Sequence, residues 1–255
     1  MLLEIRRLTK RFGGVLAVAE VDLAADPGSV TSVIGPNGAG KTTLINCISG
    51  HFLPDAGVVG FRGEDVTRLP PYERAKRGIA RTFQGVRLFK GLSVFDNVRI
   101  GRHTRTRSDV IARMLPFRDR RSGPGAEDAR VVELLRLADL APRRRDLAGE
   151  LSHGEQRRLE IARALASEPS LLLLDEPAAG LAAAETARLT DLVRSLAHAG
   201  LAIVLIEHDV RLVMGVSERI VVLNFGRKIA EGTPSAVQAD PAVREAYLGV
   251  DEAAG

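Results

Sequence analysis

This 255-residue sequence contains a single cysteine, no long apolar run and no secretory-signal pattern among its first residues. Cys47 is the only cysteine, so no intramolecular disulfide is possible. It lies in a segment of helical character, which favours a small buried apolar residue over a reactive thiol. No uninterrupted apolar run approaches the ~20 residues that a membrane-spanning helix needs. The N-terminus lacks the pattern of a secretory signal. We therefore expect a soluble, cytosolic protein.

Lysine is also scarce, since only five of the 36 basic residues are lysines and the others are arginines. The formal net charge is +4 and the isoelectric point is about 9.6. This balance suits nucleic acid or an anionic membrane face, but charge alone is a weak argument for either. Hydrophobic residues make up 45% of the chain, which at this length supports one large domain or a domain with an insertion.

The most specific pattern follows a short apolar run that ends at Ile34. It is the complete motif G-x-x-x-x-G-K-[ST], and a segment of helical character follows it. Small residues let backbone N–H groups turn inward around a polyphosphate, and the helix N-terminus favours an anion. Lys41 is expected to reach the β- and γ-phosphates, and the Thr42 hydroxyl to ligate Mg²⁺. The phosphate loop so defined comprises Gly35, Pro36, Asn37, Gly38, Ala39, Gly40, Lys41, Thr42 and Thr43.

Two further apolar runs end in side chains that suit phosphate chemistry. Four leucines at 171–174 precede Asp175 and Glu176, a pattern typical of a buried parallel strand with carboxylates at its C-terminal end. Ligands of open α/β sheets bind beyond that end. Asp175 is therefore a candidate for the Mg²⁺ water shell, and Glu176 for polarising a water molecule. The run at 201–206 leads to His208, which is expected at the same edge and can donate to a γ-phosphate oxygen.

Residues 85–149 differ from the rest in being helical, basic and looped. Ser93 is a good N-cap, and residues 127–140 have the apolar spacing of an amphipathic helix. Residues 102–121 are rich in arginine, which fits a solvated loop or exposed helix, or else contact with phospholipid headgroups, a partner or nucleic acid. We interpret the whole region as a helical subdomain inserted into a nucleotide-binding core.

Three other features are ambiguous by themselves. Phe12 either packs at an apolar edge or offers an aromatic face to a nucleotide base. Gln84 is an amide at the end of a β-like run. Ser152 is placed to cap a helix whose N-terminus, with Gly154, is a second potential anion site.

The order of these elements resembles the ATP-binding subunit of an ABC transporter, from Leu3 to Gly249. The segments that carry the resemblance are GPNGAGKTT, the strand-end Gln84, LSHGEQ, LLLLDEP and IEHD. Within that family, GVRLFKGLSVFDNV, EQRRLEIARAL, LDEPAAGL, IEHDVRLVMGVSERI and EAYLG are similar to the ATPase subunits of branched-chain amino acid importers. The resemblance implies a phosphate-loop (RecA-like) α/β core formed by residues 1–84 and 155–255, with an antiparallel β subdomain. The helical signature subdomain would span 85–154.

The resemblance assigns roles to single residues. Phe12 would stack on the base, and Gln84 would sense Mg²⁺ and the γ-phosphate. Glu176 would be the catalytic base and His208 the switch histidine. These four residues join the phosphate loop and Asp175 in one ATP site.

Partners follow from the same resemblance. Ser152 and Gly154 would touch the γ-phosphate of ATP held by a second ATPase subunit. The work would pass to integral membrane permease subunits, and indirectly to a substrate-binding protein. The chain would then lie at the inner face of the plasma membrane, with ATP and Mg²⁺ as cofactors and no nucleic acid bound.

Three positions depart from the family pattern, namely His153, Glu155 and Ala182. A carboxylate at Glu155 near phosphate charge is unfavourable unless a partner group or Mg²⁺ offsets it. The importers that the chain resembles also usually pair two different ATPase subunits, so we expect a related but different ATPase chain as partner. The main alternative is a soluble ABC ATPase acting on nucleic acid or ribosomes, or an ABC subunit for another substrate. A small-molecule kinase is the third class, but it would need no LSHGEQ helix.

Overall fold

The computed structural model describes residues 1–82, 85, 87–102 and 124–251. Its strands are β1 (Leu3–Phe12), β2 (Val15–Ala25), β3 (Val30–Ile34), β4 (Ala56–Phe61), β5 (Glu64–Asp65), β6 (Ile79–Arg81), β7 (Leu171–Asp175), β8 (Ala202–Ile206), β9 (Arg219–Asn224) and β10 (Arg227–Gly232). Six of them form one sheet in the order β10-β9-β3-β8-β7-β6. Only β10 in this sheet pairs antiparallel.

The three central strands β3, β8 and β7 are buried along their whole length. Strands of a parallel sheet that is covered on both faces read as continuous apolar runs, which explains the four consecutive leucines of β7. Because β3, β8 and β7 run parallel, their C-terminal ends meet at one edge. The residues that follow Ile34, Leu174 and Ile206 therefore converge there.

A second, antiparallel sheet has the order β2-β1-β4-β5. Its inward residues, among them Leu3, Ile5 and Val59, share one apolar core with Val33 of β3 and with Leu44. The antiparallel subdomain implied by the resemblance is thus present. It packs on the same face of the main sheet as the helix that follows the phosphate loop.

The described helices are α1 (Lys41–Ile48), α2 (Pro71–Arg77), α3 (Val94–Gly101), α4 (Pro124–Leu137), α5 (His153–Leu165), α6 (Ala183–His198), α7 (Val210–Val216), α8 (Pro234–Ala239) and α9 (Pro241–Asp251). Short 3-10 turns lie at Ala141–Arg143 and Ala148–Glu150. Side-chain caps start several of the helices: the Ser93 hydroxyl accepts from the Asp96 N–H at 3.0 Å, and Ser152 with Glu155 forms a capping box. Within the described ranges, none of these helices is long and apolar enough to cross a membrane.

Helices α3, α4 and α5 pack together around Val98, Leu135 and Leu159, which are buried. Of these, α3 and α4 lie within the expected inserted region, whereas α5 begins at its predicted end and continues to Leu165. The boundaries of that subdomain at 85 and 154 remain a prediction. Residues 103–123, which hold most of the arginine-rich segment, lie outside the described residues, so the alternatives for that segment stay open.

Four helices differ from the sequence prediction. The amphipathic pattern at 127–140 indicated a helix that in fact starts at Pro124 and ends at Leu137. The sequence of the Pro70–Pro71 pair predicts a break in the chain, yet the pair starts α2, because proline fits the first turn of a helix, where no N–H partner is needed. The short helices α7 and α8 were not predicted at all, since six or seven residues carry little periodicity.

Candidate functional site

The phosphate loop runs from the end of β3 to the start of α1, as the motif requires. Gly35 and Gly40 both have positive φ, at 149° and 100°. A Cβ on Gly35 would lie 2.1 Å from the Leu223 carbonyl oxygen, and one on Gly40 would lie 2.3 Å from that of Ala17. Neither position has space for a side chain, so the backbone of β2 and β9 fixes both glycines.

Lys41 is folded into this loop. Its ammonium donates to the Gly35 carbonyl at 2.7 Å and to the Pro36 carbonyl at 2.9 Å. Burial lowers the pKa of Lys41, and the negative charges of Glu176 and Asp175 oppose that effect. The cation is therefore held inside the loop, with two carboxylates within electrostatic reach.

A cavity of about 390 Å³ adjoins the loop. It is lined by Val15, Leu16, Ala17, Asn37, Gly38, Ala39, Gly40, Lys41, Thr42, Thr43, Glu176 and Phe225. Thr42 and Glu176 thus border the same space, as the sequence predicted. Phe12 ends β1 and packs edge-on against Phe52, with ring centroids 5.2 Å apart. Its ring is partly exposed, and its role as base-stacking residue stays a prediction.

Asp175 and Glu176 lie at the C-terminal end of β7. The backbone N–H of Glu176 donates to the Ile206 carbonyl of β8 at 2.9 Å. Glu176 has a φ of 47°, in the left-handed region that only glycine enters without cost. This turn of the backbone brings the Glu176 side chain to the cavity, while Asp175 stays buried beside Arg81.

The Asp175 carboxylate has two different environments for its two oxygens. Oδ2 accepts from the Arg81 guanidinium at 2.9 Å. Oδ1 is buried and has no hydrogen-bond partner in the part of the chain that the structure describes. Burial raises the pKa of Asp175, an effect that Arg81 opposes. A hard divalent cation, directly or through its water shell, would satisfy Oδ1, so the residues present fit the expected Mg²⁺.

No group of three or more His, Cys, Asp or Glu side chains gathers into a metal cage among the described residues. Mg²⁺ needs no such cage, because it is commonly bound by one or two carboxylates together with substrate phosphates. Gln84, the remaining predicted ligand and sensor, lies outside the described residues.

His208 follows β8 at the same edge, as predicted, and its side chain is exposed. The neighbouring Glu207 is completely buried. Its carboxylate accepts from the Ala178 N–H at 2.7 Å and from the His208 N–H at 3.0 Å. Glu207 therefore ties the loop after β7, which carries Glu176, to the loop that carries His208.

Ser152 and Gly154 lie at the N-terminus of α5, where both are contacted by Glu185 of α6. Its Oε1 accepts from the Ser152 hydroxyl and the Gly154 N–H, each at 3.2 Å. Hydrogen bonding from the Ala182 N–H, with smaller contributions from Ser152 and Gly154, lowers the pKa of Glu185. A carboxylate of the same chain thus occupies this helix end, and the role of Ser152 and Gly154 toward a bound phosphate stays a prediction.

The structure also corrects the argument drawn from Glu155. Its carboxylate accepts from the Arg143 guanidinium at 3.0 and 3.1 Å and from the Ser152 N–H at 2.8 Å. The cation that we expected a partner to provide comes from the chain itself, because the 3-10 turn before α5 brings Arg143 back to it. The electrostatic reason for an unlike partner was therefore wrong. The exposed His153 also contacts its own chain, with its Nε2 3.2 Å from the Ala179 carbonyl oxygen.

Sequence reasoning missed four residues of this region, namely Arg81, Glu185, Glu207 and Phe225. A strand-end acid such as Glu207 and the turn residue Phe225 carried a weak signal, since both follow apolar runs that end at the site edge. Arg81 and Glu185 had none, because only the folded chain shows which carboxylate or helix end they meet.

Taken together, the described residues form a phosphate-loop nucleoside triphosphatase fold with a helical insertion. The chain matches the family model described as "ABC transporter" over residues 18–179. The model described as "Branched-chain amino acid ATP-binding cassette transporter" matches residues 227–253. The chain belongs to the ABC transporter family, as an ATP-binding subunit whose ATP hydrolysis is coupled to transport.

Two relatives and one solved structure illustrate the match. The chain is 42% identical to the high-affinity branched-chain amino acid transport ATP-binding protein BraF of Pseudomonas aeruginosa, over 97% of this chain and 98% of that protein. It is 43% identical to LivG of Escherichia coli K12, which carries the same description, with the same coverage. It is also similar to a nucleotide-free ATP-binding cassette from an ABC transporter, with a TM-score of 0.84, 32% identity and coverage of 96% and 98%.

Proposed function

We propose that this protein powers an importer of branched-chain amino acids. The observation that carries the substrate class is the similarity to BraF and LivG along 97% of the chain. The match at 227–253 supports it independently, since that segment lies outside the nucleotide-binding motifs. The protein would work at the inner face of the plasma membrane, bound to permease subunits and served indirectly by a substrate-binding protein.

Within the site, each residue has a proposed task. The N–H groups of residues 35–43 and the Lys41 ammonium bind the β- and γ-phosphates of ATP. Thr42 and Asp175 hold Mg²⁺, with Gln84 as a further ligand and sensor. Mg²⁺ supplies charge neutralisation of the phosphates. Phe12 stacks on the adenine base.

The residues proposed to act in hydrolysis itself are Glu176 and His208. Glu176 accepts the proton of the attacking water from its place at the cavity wall. His208 donates to a γ-phosphate oxygen. The buried Glu207 keeps the loops of these two residues in register, because it accepts from backbone N–H groups of both.

The complete ATP site requires a second subunit. Ser152 and Gly154 begin α5 within the helical region, and we propose that they complete the ATP site of the opposite subunit. Their present partner supports this proposal, because the Glu185 carboxylate accepts from both the Ser152 hydroxyl and the Gly154 N–H. We retain a related but different ATPase chain as the partner, on the resemblance alone.

Permease contact is proposed for residues 85–101. A cleft of about 520 Å³ opens between this segment and α2, and it contains the exposed apolar side chains of Tyr72, Phe89 and Ile100. Exposed aromatic and aliphatic residues in one concave surface are typical of a protein interaction site. The cleft also reaches Arg81 and Ser49, beside the Asp175 carboxylate.

The function is tested by reconstitution in proteoliposomes. The chain, its neighbouring permease and ATPase gene products and the binding protein are combined with ATP inside, and uptake of labelled leucine and of labelled glutamate is measured. We expect leucine uptake that needs ATP and stops with Lys41→Ala. ATPase activity stimulated by DNA or RNA and not by permease would instead favour the alternative function. ATP-driven uptake of glutamate alone would leave the ABC assignment intact but contradict the substrate class.

A second measurement tests the partner. ATP-dependent dimerisation and transport are compared for this chain alone and for its mixture with the neighbouring ATPase. If the chain alone dimerises and drives uptake as fast as the mixture, the unlike-partner proposal fails.

A further inference from the structure

Arg81 contacts three side chains from two other elements of the core. One arm of its guanidinium donates to Asp175 Oδ2 at 2.9 Å. The other donates to Asn46 Oδ1 at 2.6 Å and to Ser49 Oγ at 2.9 Å. The Arg81 side chain is 9% exposed and that of Asp175 is 1% exposed, so this ion pair is nearly out of contact with water.

These contacts of Arg81 join two elements of the site, α1 and β7. Asn46 lies in α1, and Ser49 follows its last residue. Since α1 is the helix that begins with Lys41 and Thr42, Arg81 links the phosphate-binding helix to the carboxylate at the end of β7. A guanidinium is a rigid planar fork, so fixing one arm on Asn46 and Ser49 also fixes the direction of the other. Arg81 thus holds the Asp175 carboxylate through Oδ2, and Oδ1 remains available to a cation.

We propose that Arg81 is a positioning residue that sets which oxygen of Asp175 is presented to the divalent cation. This inference rests on the proposed role of Asp175 at the Mg²⁺ site. Hydrogen-bond partners of a ligating carboxylate orient it, and their removal typically costs metal affinity. Arg81 acts here through Asp175 and through the spacing between β7 and α1.

Coulomb's law gives the opposite expectation if Arg81 acts only as a charge. A cation beside a cation site weakens metal binding, so its removal would then tighten the binding of Mg²⁺. Positioning predicts weaker binding after removal. The sign of the change therefore separates the two explanations.

The test uses the full-length chain with Arg81→Met and Arg81→Lys. Binding of Mn²⁺ in the presence of a non-hydrolysable ATP analogue is measured by electron paramagnetic resonance, and binding of the analogue without metal is measured by fluorescence. For Arg81→Met we expect Mn²⁺ affinity to fall by about 10- to 100-fold, the range seen when such outer partners are removed. Affinity for the metal-free analogue should stay within about twofold, because Arg81 does not line the phosphate-loop cavity. The Mn²⁺ affinity of Arg81→Lys should lie between those of wild type and Arg81→Met, because lysine keeps the charge but lacks the planar guanidinium.

Arg74→Lys is the matched control. Arg74 is also buried and donates to the Cys47 and Ile48 carbonyls at the end of the same helix α1, yet its hydrogen bonds go to backbone carbonyls and none to Asp175. This control should leave Mn²⁺ affinity unchanged even if its melting temperature drops. Unchanged or tighter Mn²⁺ binding in folded Arg81→Met would overturn the proposal. Asp175→Asn identifies the source of a failure: if it too leaves Mn²⁺ binding intact, the metal role of Asp175 is what fails.

Discussion

Glu176 and Lys41 are both proposed to act on the γ-phosphate, yet their loss should affect different steps. Glu176→Gln keeps the size of the side chain but cannot accept the proton of the attacking water, so ATP should bind normally while hydrolysis slows by about 10²- to 10⁴-fold. Lys41→Ala removes the cation of the phosphate loop and should abolish nucleotide binding. Equilibrium binding of a fluorescent ATP analogue and single-turnover hydrolysis distinguish the two. Near-normal turnover by Glu176→Gln would remove Glu176 from the role of base.

The buried thiol of Cys47 gives a pH-dependent prediction. Burial raises the pKa of Cys47 to about 11, whereas an unfolded thiol titrates at about 8.5. The folded state favours the neutral thiol, so its contribution to the free energy of unfolding is complete at pH 7 and is lost as the pH rises through 11.

This contribution is measured by comparing wild type with Cys47→Ala in urea unfolding between pH 7 and 10.5. Wild type should lose stability faster with pH than the variant, so the difference between the two should narrow. Parallel curves over this range would show that the thiol does not ionise on unfolding.

Single residues show where sequence reasoning succeeds and where it ends. The phosphate loop was predicted completely, because a contiguous motif contains its own geometry. Glu155 was misjudged, because its cation, Arg143, is twelve positions away and meets it only after the intervening turn forms. Arg81 and Asp175 are 94 positions apart, and no local pattern indicates that pairing.

Between elements, the contact of α3 with α5 depends on a glycine. A Cβ on Gly101 would lie 2.1 Å from the Arg163 carbonyl oxygen and 3.0 Å from Ala166 Cβ. Both obstacles belong to the α5 backbone or its immediate end, which cannot swing aside as a long side chain can. Gly101→Ala should therefore force the two helices apart.

We expect Gly101→Ala to cost about 1–3 kcal/mol, as overpacking of a core does, despite the better helix propensity of alanine. At about 2–4 °C per kcal/mol for a chain of this size, the melting temperature should drop by several degrees. Gly91→Ala is the control, because nothing lies within 4 Å of the Cβ that it would add. An equal change in both variants would contradict the close approach of α3 and α5.

The elements that sequence predicted best are those whose burial is uniform or whose ends are capped. β7 and β8 were evident from unbroken apolar runs, and α3 and α5 from Ser93 and Ser152. The helix α7 was missed although Asp209 caps it, since its seven residues carry little helical periodicity. Tertiary contacts, and not local periodicity, stabilise such a short helix.

At the scale of the whole molecule, the cleft between residues 85–101 and α2 gives a crosslinking prediction. Cys47 is completely buried, so a cysteine introduced at the exposed Arg87 would be the accessible thiol among the described residues. In the assembled transporter, Arg87→Cys should crosslink to a cysteine in a cytoplasmic loop of the permease, because the Arg87 N–H donates to Glu160, which lines the cleft. Mass spectrometry of the crosslinked peptide identifies the loop.

Gln238→Cys is the control for this experiment. Gln238 is exposed on α8, which packs on β9 and β10 at the opposite edge of the main sheet from β6. It should remain uncrosslinked to the permease. Crosslinks that arise only from cysteines placed within residues 102–121 would move the coupling site to the arginine-rich segment.

The left-handed backbone of Glu176 has a consequence for protein engineering. A non-glycine residue in this conformation costs roughly 1–2 kcal/mol, of which glycine would recover a part after its own entropic loss. A directed-evolution screen that rewards only survival of heating should therefore enrich Glu176→Gly while discarding turnover. Screening for heat resistance and for leucine uptake at once should keep glutamate at this position. The residue selected at position 176 would then show the trade-off between stability and activity in this protein.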